Sequence, residues 1–192
     1  MKVIAFNASA RKDGNTAVLI NAVLGELENE GIETEMVQLA GKTIHGCTAC
    51  YQCIENKDER CAVDDDDLNE CLEKMIDAEG VILGSPTYFA DATAEMKGLI
   101  DRCGLVAKAN DDMLKRKVGA AVVAVRRAGS IHAFDTMNHF FTINQMIIPG
   151  SQYWNMGFGH MGKDEAASDD EGMQIMRTLG QNMAWLMKKL YA

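Results

Sequence analysis

The chain opens with a short apolar strand that leads through a polar loop into an amphipathic helix. The strand is predicted at residues 2–6 and the helix at 15–30, where apolar side chains recur every three or four positions. Such a junction brings free backbone N–H groups and the positive end of the helix dipole together, which favours an anion there. The loop adds four polar side chains suited to a phosphate: Ser9, Arg11, Asn15 and Thr16. This segment therefore predicts one unit of an α/β fold with a phosphate site.

The motifs that the loop lacks narrow the choice of ligand. It has neither the Lys-Ser/Thr ending of a P-loop nor the Gly-x-Gly-x-x-Gly of a dinucleotide fold, so a smaller phosphate ester is favoured. A structural alternative stays open, in which Asp13 or Asn15 serves only to cap the helix.

A second polar turn follows the third predicted strand. The apolar run at residues 81–84 ends in Ser85 and is followed by four residues that can approach a flat ring: Pro86, Thr87, Tyr88 and Phe89. Backbone amides of the last three can face a heteroaromatic ring that carries several hydrogen-bonding atoms. In the alternative, Tyr88 and Phe89 are core residues. If strands one and three flank the reversal point of a doubly wound sheet, the two loops face one crevice.

The alternation of strands and helices predicts the rest of the fold. We expect an α/β, three-layer, doubly wound parallel sheet of five strands in the order 2-1-3-4-5, with helices on both faces. The other strands are predicted at residues 35–39, 117–125 and 146–148, and the other helices at 66–78, 92–107, 131–144 and 169–190. Length and apolar content favour a single domain over residues 1–192.

Charge and hydropathy exclude several classes of partner. The net charge of −9 argues against binding to nucleic acid or to an anionic membrane, where a basic patch is expected. No apolar stretch reaches the roughly eighteen residues that span a bilayer. Residues 1–4 enter a strand without a signal-peptide profile, so we expect a cytoplasmic protein. The acidic run at residues 64–67 is interpreted as a helix start rather than a metal site.

Four cysteines crowd the connection after the second strand, in an inserted loop at residues 42–63. Cys47, Cys50 and Cys53 are separated by two residues each, and Cys61 follows after seven more. Three thiolates at such gaps can bind three corners of a [4Fe–4S] cube, which a fourth completes. Zinc and free or redox-active thiols remain alternatives. The other two cysteines, Cys71 and Cys103, fall on apolar helix sides and are predicted to be buried hydrophobes.

Together these motifs resemble the flavodoxin-like NAD(P)H-dependent FMN reductases, and within them the iron–sulfur flavoprotein branch. Residues 7–16 are similar to the family's FMN phosphate loop, and residues 84–102 to its flavin-ring loop and the helix that follows. The chain departs from the family at residues 8–11, which read Ala-Ser-Ala-Arg where members commonly have Gly-Ser-Pro-Arg. The resemblance implies that FMN binds with its phosphate on the first loop and its ring against the second.

The resemblance also gives a role to the loop after the fourth strand. In the family this loop lies beside the flavin ring, which implies that Arg126 or Gly129 approaches the ring. An arginine near the N1/O2 edge of a flavin would stabilise its anionic reduced form. The alternative is a solvated loop with cations at the end of a strand.

The resemblance implies an FMN-dependent oxidoreductase with a [4Fe–4S] cluster on the four loop cysteines, which also match the branch's compact cysteine motif. Electrons would move from NAD(P)H or a ferredoxin-like donor to a quinone, free flavin or oxygen. A homodimer or homotetramer would bring the cluster of one chain towards the FMN of another. Two alternatives stay open: a non-catalytic electron carrier of the flavodoxin type, and a plain FMN reductase with free cysteines.

Overall fold

Five parallel strands form one sheet in the computed structural model, which describes residues 1–162 and 165–191. The strands are β1 (Lys2–Asn7), β2 (Glu33–Gln38), β3 (Gly80–Pro86), β4 (Val118–Val125) and β5 (Met156–Phe158). Their order is β2-β1-β3-β4-β5, and each neighbouring pair is parallel. The predicted doubly wound sheet and its strand order are confirmed.

Helices cover both faces of this sheet. They are α1 (Asn15–Asn29), α2 (Gln52–Asn56), α3 (Leu68–Asp77), α4 (Ala94–Ala109), α5 (Ser130–Ile143) and α6 (Asp170–Tyr191), with a 3₁₀ turn at Glu165–Ser168. Helices α1 and α6 share one buried cluster with the sheet, whereas α3, α4 and α5 share the other. No helix in the described ranges is long and apolar enough to cross a membrane.

The inner strands are apolar throughout because both of their faces are covered. All eight residues of β4 are buried, as is typical of a parallel strand between two helical layers. In β1, Val3 and Ala5 belong to the cluster with α1 and α6, whereas Ile4 and Phe6 belong to the other. Alternate side chains of one strand thus stabilise the two layers.

The fifth strand lies ten residues later than predicted, so the assignment of 146–148 is wrong. Ile147 forms only an isolated bridge with Val118, at the start of β4. The chain then continues along the sheet, and β5 pairs with residues 123–125 at the opposite end of β4. The apolar run at 146–148 gave a stronger strand signal than β5, whose central Gly157 has no side chain. A Cβ there would lie 2.5 Å from Leu19 Cδ2.

The connection from β2 to α3 is long and irregular. It contains the short helix α2, which the sequence did not predict, and all four cysteines of the 42–63 loop. Four of its residues other than glycine have positive φ: Ala49, Tyr51, Lys57 and Glu59. Such conformations are uncommon for these residue types and persist where surrounding contacts hold them.

Candidate functional site

Three loops meet where β1, β3 and β4 end. The amide of Ala8 donates to the Gly84 carbonyl at 2.9 Å, and the amide of Thr87 donates to the Ala124 carbonyl at 2.9 Å. A Cβ on Gly129 would lie 2.8 Å from Ala90 Cα, so the third loop packs directly on the second. The three loops predicted to form a crevice therefore lie together at the carboxyl edge of the sheet.

The loop from β1 to α1 is folded around Ser9, which is buried. The Ser9 amide donates to Asn7 Oδ1 at 3.1 Å, and its hydroxyl oxygen accepts from the Arg11 amide at 3.1 Å. The first intrahelical bond runs from the Val18 amide to the Gly14 carbonyl, so the amides of residues 15–17 lie ahead of it. These amides and the positive end of the α1 dipole can hold an anion.

The side chains of Arg11 and Asn15 contact residues 161–162 and 166, far along the chain, which the sequence did not connect to this loop. The Arg11 guanidinium donates to the Met161 carbonyl at 2.8 Å. Asn15, nearly fully buried, accepts from the Ala166 amide at 3.0 Å. Its side chain acts here on the loop's conformation, while its backbone amide lies at the start of α1. Thr16, the fourth predicted residue, is buried in the first turn of α1.

A second polar contact fixes the same loop from the side of β2. Gln38 Nε2 donates to the Ser9 carbonyl at 2.6 Å, and Gln38 Oε1 accepts from Asn7 Nδ2 at 2.8 Å. Asn7 is fully buried, so its amide group requires such partners. Gln38 was missed from the sequence because it ends an ordinary strand and carries no motif.

The turn after β3 is a tight reversal at residues 88–91. Tyr88 and Asp91 exchange two backbone hydrogen bonds of 2.9 and 3.1 Å, and Phe89 and Ala90 both have positive φ. The side chain of Phe89 is fully exposed and that of Tyr88 is half exposed, which excludes the reading of both as core residues. The amides of Thr87 and Tyr88 already donate within the protein, which differs from the prediction that they face a ring.

Polar contacts tie this turn to helices α4 and α5. Pro86 ends β3, and Ser85 Oγ accepts from the Thr93 amide at 3.1 Å. Asp91 Oδ1 accepts from Thr136 Oγ1 of α5 at 2.8 Å. Burial works against the charge on Asp91, but hydrogen bonds from the Thr136 hydroxyl and a backbone amide lower the pKa of this carboxyl below its usual value. The turn is therefore fixed at both of its ends.

The loop after β4 presents its arginines to solvent. Arg126 and Arg127 are exposed, at the carboxyl end of β4. Gly129 adopts a φ of +87° immediately before α5. A side chain there would be strained and would meet the turn at Ala90, so this position needs glycine.

The four loop cysteines line a single small recess beside α4. Cys47 and Cys50 are exposed, Cys61 is half-buried and Cys53 is buried. Burial first, and then the charges of the three neighbouring cysteines, raises the pKa of the Cys53 thiol. Among the described residues, no three His, Cys, Asp or Glu side chains are arranged to hold a metal ion.

The groups around these thiols are of the kinds that surround iron–sulfur clusters, although the thiols do not converge on one point here. Leu105 and Val106 supply an apolar wall to the recess. Two N–H groups already point at sulfur, from the Ala49 amide to Cys47 Sγ at 3.4 Å and from Arg102 Nη2 to Cys61 Sγ at 3.3 Å. Four thiols, an apolar wall and N–H donors to sulfur are the groups that bind such a cluster and tune it.

A buried ion pair connects this loop to α4. The Arg102 and Asp66 side chains are at most 1% exposed and form a direct salt bridge. Burial works against the charge on Asp66, but the guanidinium and two backbone amides lower the pKa of the carboxyl below its usual value. The acidic run at 64–67 thus lies at the start of α3, as predicted, and Asp66 has an additional partner that the sequence did not indicate.

The remaining two cysteines lie apart from the recess. Cys71 and Cys103 are fully buried in the core, as predicted. Burial raises the pKa of Cys71 to about 11 and that of Cys103 well above its usual range, so both remain thiols at neutral pH.

Comparison with known proteins agrees with this geometry. A family model described as NADPH-dependent FMN reductase matches residues 1–161. The iron-sulfur flavoprotein MJ1083 of Methanocaldococcus jannaschii is 37% identical over 194 residues, covering 98% of each chain. An iron-sulfur flavoprotein of Methanosarcina thermophila is 34% identical, covering 92% of this chain and 90% of the other.

Solved structures show the same fold at lower identity. RosB, with a bound formylated riboflavin phosphate, has a TM-score of 0.76 at 20% identity and covers 99% of this chain and 80% of its own. An archaeal flavodoxin has a TM-score of 0.63 at 17% identity, with 98% and 99% covered. The fold is flavodoxin-like, and the chain belongs to the NADPH-dependent FMN reductase family, in its iron–sulfur flavoprotein branch.

Proposed function

We propose that the protein is an FMN-dependent oxidoreductase that also carries a [4Fe–4S] cluster on Cys47, Cys50, Cys53 and Cys61. It moves electrons between NAD(P)H or a ferredoxin-like donor and a small acceptor such as a quinone, flavin or oxygen. The observation that carries this proposal is the meeting of three loops at the carboxyl edge of the sheet, in a chain whose cysteines share one recess. Bound FMN would supply both one- and two-electron chemistry, and the protein would supply position and electrostatics.

The first loop is proposed to hold the FMN phosphate. The amides of residues 15–17 lie ahead of the first intrahelical bond, and Ser9 and Thr16 contribute hydroxyl groups beside them. Arg11 is exposed, so its guanidinium can turn from the Met161 carbonyl towards a phosphate. A phosphate at this position would be held by charge-assisted hydrogen bonds.

The second and third loops are proposed to hold the flavin ring. Pro86, Thr87, Tyr88 and Phe89 follow β3 at the same edge, and Gly129 packs on this turn. The exposed aromatic side chains of Tyr88 and Phe89 offer apolar surface to a flat ring. Arg126, exposed at the carboxyl end of β4, would then provide a cation near the ring's polar edge.

The recess is open on the side of two of its cysteines, which bears on assembly. Cys47 and Cys50 are exposed, so a cluster bound there would contact solvent in a single chain. A second copy covering this side would shield the cluster and bring it towards another chain's FMN. We therefore include a homodimer or homotetramer in the proposal.

A plain FMN reductase with free cysteines is the second candidate. It is favoured by the observation that no three of the described cysteines converge to hold a metal ion. The iron content of the anaerobic protein distinguishes the two candidates.

Replacing Arg11 and Thr16 together by alanine is expected to weaken FMN binding at least tenfold, about 1.4 kcal/mol. The double variant removes a cation and a hydroxyl from the proposed phosphate site while leaving the backbone amides in place. FMN affinity is measured by quenching of flavin fluorescence. Lys12→Ala, which removes an exposed cation from the same loop, is the control and should bind FMN normally. Undiminished affinity in the double variant would place the phosphate elsewhere.

Replacing Cys50 by serine is expected to abolish cluster assembly, because one corner of the cube then lacks a thiolate ligand. The wild-type protein, reconstituted anaerobically, should hold about four irons per chain, and the variant should lose them. Iron and acid-labile sulfide are measured by colorimetric assay. Cys71→Ala changes a buried cysteine outside the recess and should retain iron. Folded, iron-free wild-type protein after reconstitution would favour the plain reductase.

Anaerobic mixing of the FMN-loaded protein with NADH or NADPH is expected to bleach the flavin absorption, and a quinone should restore it over repeated cycles. The FMN-depleted protein is the control and should not oxidise the nucleotide. A flavin that is reduced by a ferredoxin-like protein but by neither nucleotide would identify an electron carrier instead of an NAD(P)H-dependent enzyme.

A further inference from the structure

Arg102 heads the largest side chains that are fully buried in the described chain, at 2% exposure. It lies in the middle of α4, the helix that begins shortly after the turn at residues 88–91. A guanidinium is always charged, and burying it is unfavourable unless hydrogen bonds and a counter-charge replace the lost water. The contacts of Arg102 are therefore expected to explain why a cation is kept at this position.

Among the described residues, the polar contacts of the Arg102 side chain all lie in the connection that carries the cysteines. Nη1 contacts the Asp66 carboxylate and donates to the His45 carbonyl at 3.3 Å. Nη2 donates to the Val63 carbonyl at 2.6 Å and to Cys61 Sγ at 3.3 Å. A single side chain thus binds the connection on both sides of the cysteines.

Cys61 is the cysteine farthest along the chain from the other three, and its position is fixed twice. Its backbone exchanges two hydrogen bonds with the side chain of Asn69, at 2.8 and 2.9 Å. Its sulfur accepts from Arg102 at 3.3 Å. Asn69 therefore fixes the backbone of this cysteine and Arg102 fixes its sulfur.

We propose that Arg102 is a positioning residue for the iron–sulfur site, which holds the sulfur of Cys61 in the recess and raises the reduction potential of a cluster bound there. This inference rests on the proposed function, because it requires a cluster on the four cysteines. It goes beyond that function by assigning a role to a residue that is not a ligand.

The direction of the effect follows from electrostatics. One-electron reduction adds a negative charge to a cluster, and hydrogen bonds to its sulfurs stabilise the reduced form. In a buried position this stabilisation is larger than in water. The carboxylate of Asp66 offsets the positive charge of Arg102. The effect of Arg102 on the cluster potential therefore comes mainly from the N–H that it donates to Cys61 Sγ. A lysine has no planar fork and cannot reach the same set of acceptors.

The test uses full-length protein, reconstituted anaerobically with iron and sulfide. Iron per chain and the midpoint potential of the cluster, by redox titration monitored by electron paramagnetic resonance, are measured for three variants: Arg102→Met, Arg102→Lys and the double variant Asp66→Asn/Arg102→Met. The double variant removes both charges, so it keeps the net charge and avoids an unpaired buried carboxylate. Lys108→Met removes an exposed cation from the same helix and is the control.

Arg102→Met is expected to lower the equilibrium constant for one-electron reduction of the cluster at least tenfold. For a one-electron couple this corresponds to a midpoint potential lower by about 59 mV. The double variant should show a smaller fall in the same direction, and Arg102→Lys should fall between wild type and Arg102→Met. Loss of iron from an Arg102 variant that still binds FMN supports the positioning role as well. If Arg102→Met does not fold, the double variant supplies the same comparison.

Two results would overturn the proposal, and they differ in whether the proposed function also fails. Unchanged iron content and potential in all Arg102 variants would show that this side chain only stabilises the fold. That result leaves the proposed function intact. Wild-type protein without iron after reconstitution would remove the cluster, and with it both the inference and the iron–sulfur part of the proposed function.

Discussion

The parallel pairing of β1 with β3 is the constraint on which the rest of the candidate site depends. Asn7 lies opposite Gly84, and the Ala8 amide continues the ladder one residue further, to the Gly84 carbonyl. Because the chain reverses its direction of strand addition at this pair, the loops after β1 and β3 leave the same edge without a helix between them. The loop before α1 and the turn at residues 88–91 follow neighbouring strand ends for this reason.

The sequence predicted those parts of the structure that depend on local pattern. Buried strands, amphipathic helices and the polar loop before Asn15 follow from residue periodicity, and the strand order follows from the handedness of crossovers. Cys71 and Cys103 were recognised as buried from their places on apolar helix faces. The error at 146–148 has the same origin, since a local apolar run was preferred to the short, glycine-containing strand β5.

The sequence did not predict the contacts that join distant segments. Arg102 meets Asp66 across 36 residues, Gln38 meets Ser9 across 29, and Arg11 meets Met161 across 150. Each of these side chains belongs to an ordinary element or to a motif with another explanation, so nothing local marks its partner. The turn at 88–91 differs from expectation for a related reason, because its amides found acceptors in β4 and in the turn itself.

The most direct test of the account is a crystal structure of the anaerobically prepared protein with data collected at the iron absorption edge. The account predicts anomalous density inside the recess bounded by Cys47, Cys50, Cys53 and Cys61. It also predicts FMN at the carboxyl edge of the sheet, with its phosphate against the amides of residues 15–17. Absence of iron from the recess, or an FMN phosphate bound away from the start of α1, would contradict it.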